Sequence, residues 1–132
     1  MGVSRLLLDT HALLWTLLSP DRIPEPALGR IRNARTEIVV SSATAWEIAT
    51  KYRLGKLDEA AAVVHGYHDH LDRLRVGELA ITGAHALSAG GLTWEHRDPF
   101  DRMIVAQAMA EALPVVTADR AITGFPGVRT LW

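Results

Sequence analysis

Four carboxylates occupy comparable places along this chain: Asp9 in LLLDTH, Glu47 in VVSSATAWE, Asp101 in DPFDRM and Asp119 in VVTADR. Each follows a short apolar run or falls in the first turns of a helical pattern. Singly, each is explained as a helix cap. Asp is among the favoured N-cap residues, Thr44-Ala-Trp-Glu47 fits a capping box, and Asp98 with Asp101 makes a similar pair around Pro99. Together they carry more. Carboxylates gathered within a few ångströms push one another's pKa upward, so a fold that collects them calls for cations. There is no cysteine and no dense histidine set, which leaves hard ions with oxygen ligands, Mg2+ or Mn2+. Ions so held bind a phosphate oxygen, lower the pKa of bound water and stabilise a leaving oxygen, the chemistry of phosphodiester hydrolysis.

Other residues near the acids suit supporting roles. Thr10 and Thr117 carry hydroxyls that can orient a carboxylate, or else bond backbone at a helix start. His11 follows the first acid by two residues and either contacts phosphate or fixes its loop. Asp98 is assigned mainly to capping, with a secondary role in supporting a metal ligand. Lys51, Arg97, Arg102 and Arg120 are the candidates for gripping a nucleic-acid backbone. Arg102 and Arg120 each adjoin a proposed metal acid, where a guanidinium can bind phosphate bidentately or neutralise the acids. His65, His68 and His70 share one predicted helix, but only positions three or four apart share a face, so they read as surface histidines. Trp15 and Trp46 fall at apolar helical positions and are expected in the core, with stacking on a base as the alternative for a Trp at the site's mouth.

The elements that must position these residues follow from periodicity. Strands are predicted at 5–8, 37–40, 78–81 and 114–117, with a fifth possible at 128–131. Helices are predicted at 10–19, 26–34, 42–56, 58–74, 83–91 and 99–112, with a helical turn at 118–122. Pro99 at a first helical turn and Gly55 past a last one are boundary signals. Strands alternating with helices imply an α/β chain with parallel pairing through right-handed crossovers and helices on both faces of the sheet. In such sheets ligands collect outside the strand carboxyl ends, where strand order reverses. All four acids lie near such ends or at helix amino ends.

Composition bounds the reading. The 132 residues fit one domain, taken as 1–132, and a hydrophobic content of 48% supplies a core. The formal charge of −1, from 14 basic and 15 acidic residues, excludes bulk electrostatic attraction as the means of holding nucleic acid. Local basic groups or a metal must then make the contacts. No apolar stretch approaches the ~18 residues of a membrane span. The first apolar run contains an Asp and a His, unlike a secretory signal, so the expected location is cytoplasmic.

Three stretches, LLLDTHALLW, SATAWEIATKYRLGKL and HRDPFDRMIVAQAMAEALPVVTADRAI, resemble PIN-domain nucleases, and more narrowly the VapC toxins of bacterial toxin–antitoxin pairs. The likeness spans nearly the whole chain, with its motifs in order. It implies a three-layer α/β/α sandwich around a parallel sheet of about five strands. It also implies Mg2+- or Mn2+-dependent endoribonuclease activity, inhibition by a small VapB-like antitoxin protein, and a homodimer. By motif position the family's acids fall on Asp9, Glu47, Asp101 and Asp119. Two other readings are weighed. A PIN-like scaffold that only binds partners would not need its acids intact. A phospho-acceptor receiver domain would want an Asp ending a middle strand and a Lys after a later one, and ELAIT and PVVTADR supply neither.

Overall fold

A computed structural model describes residues 4–132. Its centre is β1 (Ser4–Leu8), whose Leu6, Leu7 and Leu8 are all fully buried. An uninterrupted apolar run of this kind marks a strand covered on both faces. Because side chains alternate along a strand, Leu6 and Leu8 join one core and Leu7 another. The first core takes in Leu13 of α1 (Thr10–Leu18), Leu28 of α2 (Glu25–Arg32) and Ile48 of α3 (Ser42–Arg53). It also holds Val63 of α4 (Ala61–His65) and Leu71 of α5 (Tyr67–Leu74). The second packs Ile104, Val105 and Ala108 of α7 (Pro99–Glu111) with Ile122 of α8 (Arg120–Thr123). The remaining helix, α6 (Gly83–Gly91), lies against α7. Helices therefore cover both sides of one sheet, giving the three layers expected.

The sheet has five parallel strands in the order β3-β2-β1-β4-β5, where β2 is Thr36–Ser41, β3 Val76–Leu79, β4 Val115–Val116 and β5 Thr130–Leu131. The chain winds from β1 outward to β3, then returns to the other side of β1. Strand order thus reverses between β1 and β4, where Leu7 pairs with Val115 and Leu8 with Val116. The next residues on each side are Asp9 and Thr117. The ladder reaches the first of them, as Asp9 N donates to Val116 O at 3.1 Å.

Two expected elements differ. The predicted helix over 58–74 is three pieces: a 3-10 turn at Asp58–Ala60, then α4, then α5. The break falls at Gly66, whose φ of −127° and ψ of 32° leave the helical region, and glycine adopts such backbone at little steric cost. The third strand runs Val76–Leu79, two residues earlier than its apolar run suggests. Pairing of Val76 with Ile38 sets that register, so the tertiary contact overrides the local signal. Among the described residues, no helix is long and apolar enough to cross a membrane.

Candidate active site

Asp9 directly follows β1 and caps α1, its Oδ1 accepting from Ala12 N at 2.8 Å. Its Oδ2 accepts from the Thr117 hydroxyl, a contact that ties β1 to the end of β4. Asp9 is buried. That burial raises its pKa above the usual carboxylate value, outweighing the hydrogen bonds from Thr117 and Ala12 and the charge of His11. The field of Asp119 pushes the same way. Thr117 does double duty, because its Oγ1 also accepts from Asp119 N at 2.9 Å. Asp119, exposed, caps α8 through Ala121 N at 2.8 Å.

Glu47 is only 3% exposed, an unusual place for a carboxylate unless it is paired. Thr10 Oγ1 donates to its Oε1 at 2.6 Å, and Lys51, one turn on, makes an ion pair with Oε2. Thr44 completes the set, its hydroxyl 3.1 Å from that of Thr10. Burial draws the Lys51 pKa down, but the hydrogen bond and charge of Glu47, with the fields of Asp98 and Asp101, leave it raised. Lys51 therefore stays cationic and is spent on Glu47, rather than standing free for phosphate.

Asp101 lies in the first turn of α7, opened by Pro99 and capped by Asp98, which accepts from Phe100 N at 2.9 Å and Asp101 N at 3.4 Å. Its Oδ2 is hydrogen-bonded to His96 Nε2 at 2.7 Å. Burial pushes Asp101 up to about 6, against the lowering effect of His96. Asp98, Asp119 and Glu47 each add to the rise. The mutual influence is the point: Asp101 feels Asp119 and Glu47, while Asp119 also acts on Asp9. Four residues from four separate elements share one electrostatic neighbourhood at the strand reversal.

Donors at this place suit a hard divalent cation. Every candidate ligand is oxygen or imidazole, and two carboxyls are held above their ordinary pKa, a strain that a cation relieves. Among the described residues, one donor atom each from His96, Asp98 and Asp101 lie within 4.8 Å of one another. His96 escaped the sequence reading. The signal was present in HRDPFD, where a proline-opened helix turns the chain so that a residue five positions back reaches the first-turn acid.

Several supporting residues stand elsewhere than expected. Arg102 does not face the site's solvent. Its guanidinium donates to the carbonyls of Ala89, Gly90, Leu92, Trp94 and His96 at 2.8–3.3 Å, pinning the loop that carries His96. Those bonds leave it no role in gripping phosphate. Arg97 and Arg120 are exposed beside His96 and Asp119. His11 is exposed, its ring 6.0 Å from that of Trp15. Trp15 packs against the first core, beneath the Arg22 guanidinium and beside Trp132. Trp46 was expected in the core and is instead 61% exposed, because its helix turns only the Ala43, Thr44, Glu47 and Ile48 face inward. His65, His68 and His70 have separate partners in Tyr52, Glu78 and the Ala62 carbonyl.

The PIN domain family model matches residues 6–127, a span that includes all four acids. The chain belongs to the PIN domain family. Solved structures similar to this PIN domain include DNA-bound VapBC from Salmonella typhimurium, 26% identical with a TM-score of 0.69 over 97% of each chain. VapBC2 from Rickettsia felis, bound to a DNA fragment from its promoter, is 17% identical with a TM-score of 0.67, covering 97% of this chain and 98% of that one. VapBC-1 from nontypeable Haemophilus influenzae is 15% identical with a TM-score of 0.60 over 96% of each. No functionally curated protein matches this PIN domain significantly.

Proposed function

We propose that this PIN domain is a Mg2+- or Mn2+-dependent endoribonuclease, the toxin of a toxin–antitoxin pair, active as a cytoplasmic homodimer and restrained by a VapB-like antitoxin. One observation supports the catalytic part: Asp101, raised to about 6 chiefly by burial, also feels Glu47 and Asp119, and Asp119 acts on Asp9, so the four acids share one electrostatic neighbourhood at the strand carboxyl ends. Similarity to chains of three VapBC assemblies supports the antitoxin.

Asp9, Glu47, Asp101 and Asp119 would hold the ion, which when bound supplies an activated water and neutralises charge on the phosphate. The chain's own groups then divide the work of positioning. Thr117 holds one oxygen of Asp9 and Ala12 N the other. Thr10 and Lys51 fix both oxygens of Glu47, and His96 fixes Asp101. Such outer partners set carboxylate orientation and are typically worth ~10–100-fold in metal affinity or activity. Arg97 and Arg120, at the exposed rim, provide the phosphate contacts that a chain with nearly balanced charge cannot supply globally.

The test is to map RNA ends after brief expression of the parent and of Asp9→Asn, repeated in vitro with Mg2+, Mn2+ or EDTA. New ends should appear with the parent and metal, and vanish with EDTA or the variant. Equal cutting by Asp9→Asn in the presence of Mg2+ would refute the four-acid site.

A further inference from the structure

In HRDPFD, Pro99 opens α7 and Asp98 caps it, so that His96, five residues back, reaches the first-turn Asp101. One donor atom each from His96, Asp98 and Asp101 lies within 4.8 Å of the others, a group that Asp9, Glu47 and Asp119 do not join among the described residues. His96 Nε2 and Asp101 Oδ2 are 2.7 Å apart, near the roughly 3 Å between adjacent ligands of an octahedral ion with bonds of about 2.1 Å. Asp98 makes both of its cap bonds through Oδ1, leaving Oδ2 for another partner. The imidazole is held in place from two sides. Arg102 donates to the His96 carbonyl at 3.0 Å, and the Trp94 ring, itself packed on Phe125, lies 4.8 Å from the imidazole. A cleft of about 640 Å3, lined by Trp94, Glu95, His96, Arg97 and Arg102, opens this side of the group to solvent. An ion therefore has both donors and a way in.

We propose that His96, Asp98 and Asp101 form a place of their own for a divalent transition-metal ion, with one imidazole and two carboxylate ligands. The proposal rests on the reading of Asp101 as a metal ligand and shares that residue with the four-acid site. The donor set selects the ion. Mg2+ takes oxygen ligands and keeps its waters, whereas an imidazole nitrogen suits transition ions. A cation entering here replaces the hydrogen-bonded proton between Nε2 and Oδ2, which is released, because a ligating histidine must be neutral with a free nitrogen. In the metal-free protein His96 holds Asp101. With the ion bound it becomes a ligand, and it makes this place discriminate between Mn2+ and Mg2+, which carboxylates alone do weakly.

The probe is Mn2+ itself, bound to the full chain without RNA. Electron spin-echo spectroscopy of the bound ion should show a directly coordinated nitrogen in the parent. That signal should change to the pattern of the heavy isotope when histidine alone carries it, a control that needs no substitution. It should vanish in His96→Gln and persist in Asp9→Asn, since Asp9 lies outside the group. Titration followed by the resonance of free Mn2+ should show Kd rising about ten-fold or more in His96→Gln and in Asp98→Asn, beyond the lower end for a ligand's outer partners. Competition by Mg2+ should weaken less than about three-fold in His96→Gln. Bound Mn2+ with no histidine nitrogen on it, or equal losses of Mn2+ and Mg2+ in His96→Gln, assigns His96 to holding Asp101 and overturns the proposal. A nitrogen signal lost in Asp9→Asn makes His96 a ligand of the four-acid ion and overturns the separate place. A parent that binds no Mn2+ at all overturns the reading of the acids as a metal site together with this one.

Discussion

At the scale of single residues, the carboxylates of Asp9, Glu47 and Asp101 are each held by a hydroxyl, ammonium or imidazole neighbour. Asn caps a helix about as well as Asp, so Asp9→Asn should fold, as should Asp101→Asn, whose helix is capped by Asp98; both should lose metal-dependent RNA cleavage by at least the ~100-fold upper end for a metal ligand's outer partners. A gel-based cleavage assay checks this. Thr117→Val removes the hydroxyl that serves both Asp9 and the Asp119 backbone. Its expected cost is ~10–100-fold in activity, with Thr117→Ser near parental. Ionisation gives a third prediction, for metal-free protein. Asp101 titrates at about 6 in the fold against 3.8 when unperturbed, and Asp9 is raised too. Between those pH values the native state binds protons that the unfolded state has released, so this contribution to stability falls as pH rises. In EDTA, melting temperature should fall more steeply from pH 5 to pH 7 for the parent than for Asp101→Asn. Parallel slopes would show that Asp101 is not held high.

At the scale of elements, the loop between α6 and α7 is organised by one side chain. Arg102 gathers five carbonyls, a geometry that the planar five-donor guanidinium permits and an ammonium does not. Arg102→Ala should lower stability by about 3 kcal/mol, since hydrogen bonds to a charged group are worth roughly 1.5–3 kcal/mol each and several cannot be replaced by water inside the loop. Arg102→Lys should recover less than half of it. Urea unfolding reads both, and a loss below ~1 kcal/mol would make the loop self-supporting. Sequence placed Arg102 beside an acid and suggested phosphate binding. Adjacency in the chain says nothing about which way a long side chain turns, and here the open carbonyls of the preceding loop captured it.

At the scale of the whole molecule, metal and fold should be linked. A ligand that binds only the native state at ~100 times its Kd adds about 2.7 kcal/mol. Mn2+ should therefore raise the parent's melting temperature and leave that of Asp101→Asn nearly unmoved. Leu8 is fully buried in the central strand, one residue from Asp9. Leu8→Ala should cost on the order of 3 kcal/mol, as large-to-small changes in a close-packed core do. It should also depress activity beyond the folded fraction lost, because the strand end it anchors carries an acid.

The sequence alone determined that acids would stand at strand exits and helix starts, because capping, proline position and apolar periodicity are local and act wherever the chain is. It located the strands for the same reason, to within two residues at β3. Exposure of Trp46, the hydrogen bond from His96 and the capture of Arg102 were not legible, since each depends on what packs alongside. The tertiary structure alone decided which acids feel one another's charge. Strand order β3-β2-β1-β4-β5 sets the end of β1 against the end of β4, so that Asp9 bonds Thr117 from 108 residues away. A chain can specify where each carboxylate sits on its element, but only the pairing of parallel strands brings those elements, and their like charges, into one crevice.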